Sequence, residues 1–120
     1  YFNFSETRIG GPVILTSGRD NALNLIDTRT FRVVGKMLQD DHRNPNNWSK
    51  ASFSPDGCFA AAGSGNGMLH VWDFSKMDSE CEIRCSQGTL QTHKSVVNSV
   101  SWSTSGLSSC DKAGYIVTWR

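Results

Sequence analysis

Apolar and polar residues alternate over Met68, Leu69, His70, Val71 and Trp72, directly after the run Gly65-Asn66-Gly67. That alternation belongs to a strand with one buried face, and glycine and asparagine tolerate the positive φ of a tight hairpin turn. The preceding run, Cys58 to Ser64, is small and apolar, so a strand, a turn and a second strand are expected. One hairpin cannot bury a core in water. The pattern therefore demands further copies to pack against.

The copies are present. "TSGRDNALNLID", Thr16 to Asp27, has the same turn followed by alternation, and "SCDKAGYIVTWR", Ser109 to Arg120, has it again. Ile26, Trp72 and Trp119 take equivalent places, 46 and 47 residues apart. A second marker recurs independently: Phe4-Ser5, Phe53-Ser54 and Trp102-Ser103 each close a short alternating run, at intervals of 49 residues. "PDG" (Pro55 to Gly57) and "TSG" (Thr104 to Gly106) follow the second and third as turns, and the looser "ETRIGG" after the first reads as a widened loop.

Each unit then reads as four strands, a to d. The middle unit has a at 48–54, b at 58–64, c at 68–74 and d at 81–85. The first has 1–4, 13–17, 22–27 and 31–38, and the last has 97–103, 107–110 and 115–120 with no fourth strand. Four short antiparallel strands per repeat of about 40 to 50 residues is the arithmetic of a β-propeller blade. The expected fold is all-β, a propeller segment of about three four-stranded blades near 1–38, 39–85 and 86–120, the last without its fourth strand. Ala60, Ala61 and Ala62 keep strand b thin where neighbouring sheets approach, and the large residue of strand c, Ile26, Trp72 or Trp119, fills the space between sheets.

Composition narrows the function classes. With 38% hydrophobic and 19% charged residues the chain has the make-up of a folded domain, and a net charge of +1 provides no general field for nucleic acid or an acidic membrane. No apolar run nears the roughly 18 residues of a spanning helix, and "YFNFSETR" lacks the design of a signal peptide, so a cytoplasmic protein is expected. Cys58, Cys81, Cys85 and Cys110 show no Cys-x-x-Cys spacing and are read as reduced thiols, with no metal site and no cofactor expected.

Trp72-Asp73, with Ile26-Asp27 keeping the acid and Trp119 keeping the ring, resembles the WD-repeat family, and Thr92-His93 stands where that family has Gly-His. The family often links a His, a Ser or Thr, an Asp and the Trp in a buried hydrogen-bond chain. The turn acid aligns with Asp20 in the first unit, Asn66 in the second and Ala113 in the third, so the alignment predicts a complete chain in none of them. The segments "SGRDN", "DTRT", "NWS" and "DKAGYIVTW" are more specific and resemble the C-terminal blades of the autophagy-related protein 16 family, particularly its plant-like form. That resemblance implies a non-catalytic scaffold. It implies association with the conjugate of autophagy-related proteins 12 and 5 through N-terminal regions outside this sequence, and a peripheral place at the forming autophagosome membrane. It also implies that a strand from the start of the domain closes the last blade. A WD-repeat adaptor of another pathway, such as a ubiquitin ligase or trafficking complex, is the alternative.

Catalytic motifs fail on context. The run around Ser64 has Ala62 where a nucleophile elbow needs glycine and leads into a strand, and no Gly-Lys-Ser/Thr follows the glycines. Binding by loops at one end of the strands fits better. The candidate protein-binding face comprises Arg19, Asp20, Asn66 and Lys112 in the b-to-c turns, with Asp40, Asp41, His42 and Arg43 in the loop after the first unit; His70 is expected to point outward and His93 to be a structural hydrogen-bonding residue.

Overall fold

The computed structural model describes residues 2–7, 11–38, 42–44, 50–73, 81–84, 89–91 and 93–119, and these form strands and turns with no helix. The first sheet has the order β1 (Phe2–Thr7), β2 (Gly11–Ser17), β3 (Leu23–Asp27), β4 (Arg32–Leu38), each pair antiparallel, with β8 (Cys81–Arg84) added beside β4. The second has β5 (Ala51–Phe53), β6 (Phe59–Gly63), β7 (Met68–Asp73) and β9 (Thr89–Gln91), and the third has β10 (Val97–Ser103), β11 (Gly106–Asp111) and β12 (Ile116–Trp119). The expected a, b and c strands are all present within a few residues of their read positions. Two details differ at the start: β1 runs to Thr7 and β2 begins at Gly11, where a widened loop was expected.

The strand count is the main correction. The fourth strand of the middle unit was expected at 81–85, but its described residues, 81–84, instead run parallel to β4, from Gly35↔Cys81 to Leu38↔Arg84. The fourth strand of the second sheet is β9, pairing Met68↔Gln91, Leu69↔Leu90 and His70↔Thr89. Both segments are short and β-prone, and the exposed edge of β4 offers backbone groups that any extended segment can satisfy. Local pattern cannot choose between two edges. The sheets therefore have five, four and three strands among the described residues.

The sheets stack through the alternation of their strands. Val13, Leu15, Leu23, Leu25 and Met37 of the first sheet form one core with Ala51, Phe53, Ala60, Ala62 and Trp72 of the second. Ala61, Leu69 and Val71, on the opposite face of the second sheet, form another with Val97, Val100 and Leu107 of the third, against which Phe59, Trp102 and Trp119 are packed. Ala60, Ala61 and Ala62 are 0–2% exposed, sandwiched from both sides. Trp72 is fully buried against the first sheet, where its indole N–H donates to the Leu38 carbonyl at 3.0 Å. Ile26, its counterpart, is half-buried, as is Trp119.

Two glycines in the second sheet are required by proximity. A Cβ on Gly63 would lie 2.3 Å from Val97 Cγ1 and 2.8 Å from the Val97 carbonyl oxygen. Gly67 has φ +83°, and a Cβ there would lie 2.3 Å from the His93 carbonyl oxygen. Backbone bonds tie the second and third sheets at the same places: Val97 N–H donates to Ser64 O at 3.1 Å and Lys50 N–H to Asn98 O at 3.0 Å.

Trp72→Ala should cost about 3 to 5 kcal/mol, from the lost buried ring and the cavity left behind. Denaturant unfolding of the full-length protein checks this, and a loss under about 1 kcal/mol would contradict the packing. Gly114 also has positive φ, +94°, but nothing lies within 4 Å of its would-be Cβ. Gly114→Ala should thus cost only the left-handed strain, about 1 to 2 kcal/mol, and Gly67→Ala clearly more; equal midpoints for the two variants would show that the His93 contact does not matter.

Candidate interaction face and the histidine network beneath it

The turns from β2 to β3, β6 to β7 and β11 to β12 lie at the same end of the stacked sheets as the connecting segments at 42–44 and 93–96. Short polar side chains shape these turns. The Asp20 carboxylate accepts from Ala22 N–H (3.4 Å), the Asn66 side-chain oxygen from Met68 N–H (3.1 Å), and Asp111 Oδ1 from Tyr115 N–H (2.9 Å). Residues 42–44 thread between the first two turns. Asn44 N–H donates to Asn21 Oδ1 and Asn44 Nδ2 to Gly18 O, both at 2.8 Å, while Arg43 N–H donates to Ser64 Oγ (2.8 Å) and Gly65 N–H to Arg43 O (2.7 Å). One short segment thereby joins two sheets at their loop end.

Arg19, Asp20, Arg43, Asn66 and Lys112 are exposed at this end. The Arg43 guanidinium donates to the His42 carbonyl at 2.8 Å, which anchors the side chain near its own backbone. Asp40 and Asp41 lie outside the described residues. His42 does not belong to the surface: it is 1% exposed and packs edge-on against Trp72 and His70, with ring centroids 5.5 Å and 5.1 Å away. His70, expected to point outward, is fully buried in the same cluster, 5.9 Å from Trp72. An imidazole is small and flat enough to fill space beside an indole, which the polar–apolar pattern reads as an outward position.

The third unit holds the hydrogen-bond chain that the alignment denied it. His93 is buried, with Nδ1 2.9 Å from Asp111 Oδ2 and Nε2 2.8 Å from Ser109 Oγ, and Trp119 Nε1 donates to the same Ser109 oxygen at 3.4 Å. An ionised carboxylate only accepts, so Nδ1–H donates to Asp111; the neutral ring then accepts the Ser109 hydroxyl proton at Nε2, and that hydroxyl oxygen accepts from Trp119. The acid is Asp111, not the residue at position 113. Ser109 and Asp111 are two apart on β11 and so face one side, toward His93. That spacing was the signal the turn alignment passed over. In the second unit the positions of Ser109 and Asp111 are taken by Ala62 and Ser64. Ala62 offers Trp72 no acceptor, and the indole bonds to Leu38 while His42 packs on its ring.

Two carboxyls are held below their ordinary value. Burial pushes the Asp111 carboxyl up, but the Tyr115 backbone N–H, the hydrogen bond from His93 and the Ala113 N–H together outweigh it. Asp27 is lowered chiefly by the Arg29 backbone N–H, at 2.8 Å, and then by the Arg29 side chain at 3.5 Å. The ionised Asp111 thus contributes stability that is complete above the unfolded value of about 3.9 and is lost as pH falls through the lower folded value. Asp111→Asn should flatten the fall in unfolding midpoint between about pH 5 and pH 2; an acid limb as steep as that of the unsubstituted protein would remove Asp111 from this role.

The model of the WD domain, G-beta repeat family matches residues 38–73 and 84–120. Autophagy-related protein 16 of Arabidopsis thaliana is 41% identical over 91% of this chain and 20% of its own length. Protein Atg16l2 of Mus musculus is 36% identical over 89% of this chain and 16% of its own length. The chain thus spans a fifth or less of the length of these curated relatives. Among solved structures, the computationally designed Ika4 protein superposes with a TM-score of 0.66 at 16% identity, covering 98% of this chain and 62% of that one, which is a likeness of fold. Repeated strand units, a Trp buried between stacked sheets and matched repeats over most of the length lead to one conclusion: the chain belongs to the WD domain, G-beta repeat family and resembles autophagy-related protein 16 within it.

Proposed function

We propose that this chain is part of a WD-repeat β-propeller that acts as a non-catalytic protein-interaction scaffold in an autophagy-related protein 16-like subunit. The observation that carries this reading is the 41% identity to Autophagy-related protein 16 over 91% of the chain. The stacked sheets support the propeller arrangement, with blades near 1–38, 39–85 and 86–120, although β8 crosses from the second of these to the first sheet. The protein works in the cytoplasm and at the periphery of the forming autophagosome, joined to the conjugate of autophagy-related proteins 12 and 5 through regions outside this sequence. Among the described residues no helix is long and apolar enough to cross a membrane.

On this reading partners are captured at the loop end, by Arg19, Asp20, Arg43, Asn66 and Lys112. These side chains are exposed, while the backbone beneath them is held by the bonds from residues 42–44. A pre-set loop face loses less freedom on binding than a mobile one.

Full-length protein carrying Arg19→Glu and Arg43→Glu should fold normally, keep the conjugate of proteins 12 and 5, and lose at least about tenfold in capture of partners that require the repeat region, measured by quantitative co-precipitation. Unchanged capture would exclude this face. Failure of the unsubstituted protein to bring down the conjugate would overturn the autophagy reading itself.

A further inference from the structure

At the opposite end of the sheets a cleft of about 290 Å³ opens between the turn from β5 to β6 and the turn from β10 to β11, lined by Ser54, Pro55, Asp56, Phe59, Trp102, Ser103 and Thr104. Its floor is aromatic. The Phe59 and Trp102 rings are half-buried, 6.2 Å apart and inclined at 32°, with their inner sides packed on the second core. Asp56 is exposed and is the one charged residue among those that line the cleft.

Both walls are built rather than loose. Ser54 Oγ donates to Asp56 Oδ1 and accepts from Phe59 N–H at 3.0 Å, and the same carboxylate oxygen accepts from Cys58 N–H at 3.1 Å. Across the cleft, Ser103 Oγ accepts from Ser105 N–H at 3.2 Å. The carboxylate is therefore held at a set place beside two aromatic rings, in a recess too small for a folded element but wide enough for a side chain.

We propose that this cleft takes an arginine side chain from a basic segment of a partner protein. A cation is favoured over aromatic faces, and a carboxylate alongside supplies the opposite charge. Arginine suits the recess better than lysine because its planar, weakly hydrated guanidinium can lie flat on a ring while its edge donates to the carboxylate, whereas an ammonium keeps its water. The site lies away from the loop face and does not depend on which pathway the protein serves.

The test is fluorescence anisotropy of a fluorescein-labelled peptide of alternating glycine and arginine, titrated with the full-length protein at low ionic strength. Asp56→Asn keeps an oxygen that can accept from Ser54 and Cys58, so the turn survives while the charge is lost; affinity should fall about tenfold. Trp102→Leu should weaken binding at least as much, and the peptide with citrulline in place of arginine should not bind. No binding by the unsubstituted protein, equal binding by Asp56→Asn, or equal binding of the citrulline peptide would overturn the proposal. Equal affinity for a glycine–lysine peptide would overturn the assignment to arginine.

Discussion

The structure depends on how closely β6 can be approached from both sides at once. A strand in a sheet with one wet face can carry large residues inward and polar ones outward, but β6 has a neighbouring sheet on each side. Its alanines meet the first sheet at positions 60 and 62 and the third at 61, and all are buried. At its end, Gly63 leaves no room for even a methyl group beside Val97. Interiors packed to the density of organic crystals do not absorb such an intrusion without moving a whole sheet. The bulk excluded from β6 is carried by β7 instead, with Trp72 toward the first sheet and Leu69 and Val71 toward the third.

The same approach organises the loop end. Because Gly67 has no side chain, the turn after β6 comes against the backbone of His93, and the Val97 amide reaches the Ser64 carbonyl. His93 is thereby delivered to Ser109 and Asp111. The second and third units solve one packing problem in two ways: beside Trp119 a histidine is tied by hydrogen bonds to an acid and a hydroxyl, and beside Trp72 the corresponding loop histidine is packed ring against ring with a second one. Both give a buried post under an exposed polar turn. A fold of this kind specifies where surface residues stand and leaves their identity open, which is why WD repeats by themselves do not name a partner.

The two ends of the sheets differ in chemistry for the same structural reason. Turns carrying Asx-type hydrogen bonds and long charged side chains occupy one end, and at the other the rings of Phe59 and Trp102 reach out of the second core between two tight turns. Both surfaces keep groups outside the cores, the exposed polar side chains at one end and the outer sides of the two half-buried rings at the other. The stacked sheets supply rigidity, and the turns supply the groups a partner would meet.

Much of this was legible in the residues because it is local. Alternation over 68–72, the turn glycines, and the recurrence of Ile26, Trp72 and Trp119 placed the a, b and c strands and predicted that the strand-c ring lies between sheets, which Trp72 does. Hydrophobic periodicity acts over a few residues, and a repeat multiplies the signal. What the sequence could not decide were matters of which distant group stands next to which. Residues 81–84 and 89–91 are comparable as strands, and only the available edges of β4 and β7 determined which joined each. His42 and His70 read as polar positions until the indole of Trp72 gave them a place to pack. Asp111 became the partner of His93 because β11 turns it to the same side as Ser109, while the turn alignment pointed two residues further on. Backbone propensity and side-chain polarity are written residue by residue, but edge pairing, ring packing and buried hydrogen bonds belong to pairs of residues that only the assembled sheets bring within reach.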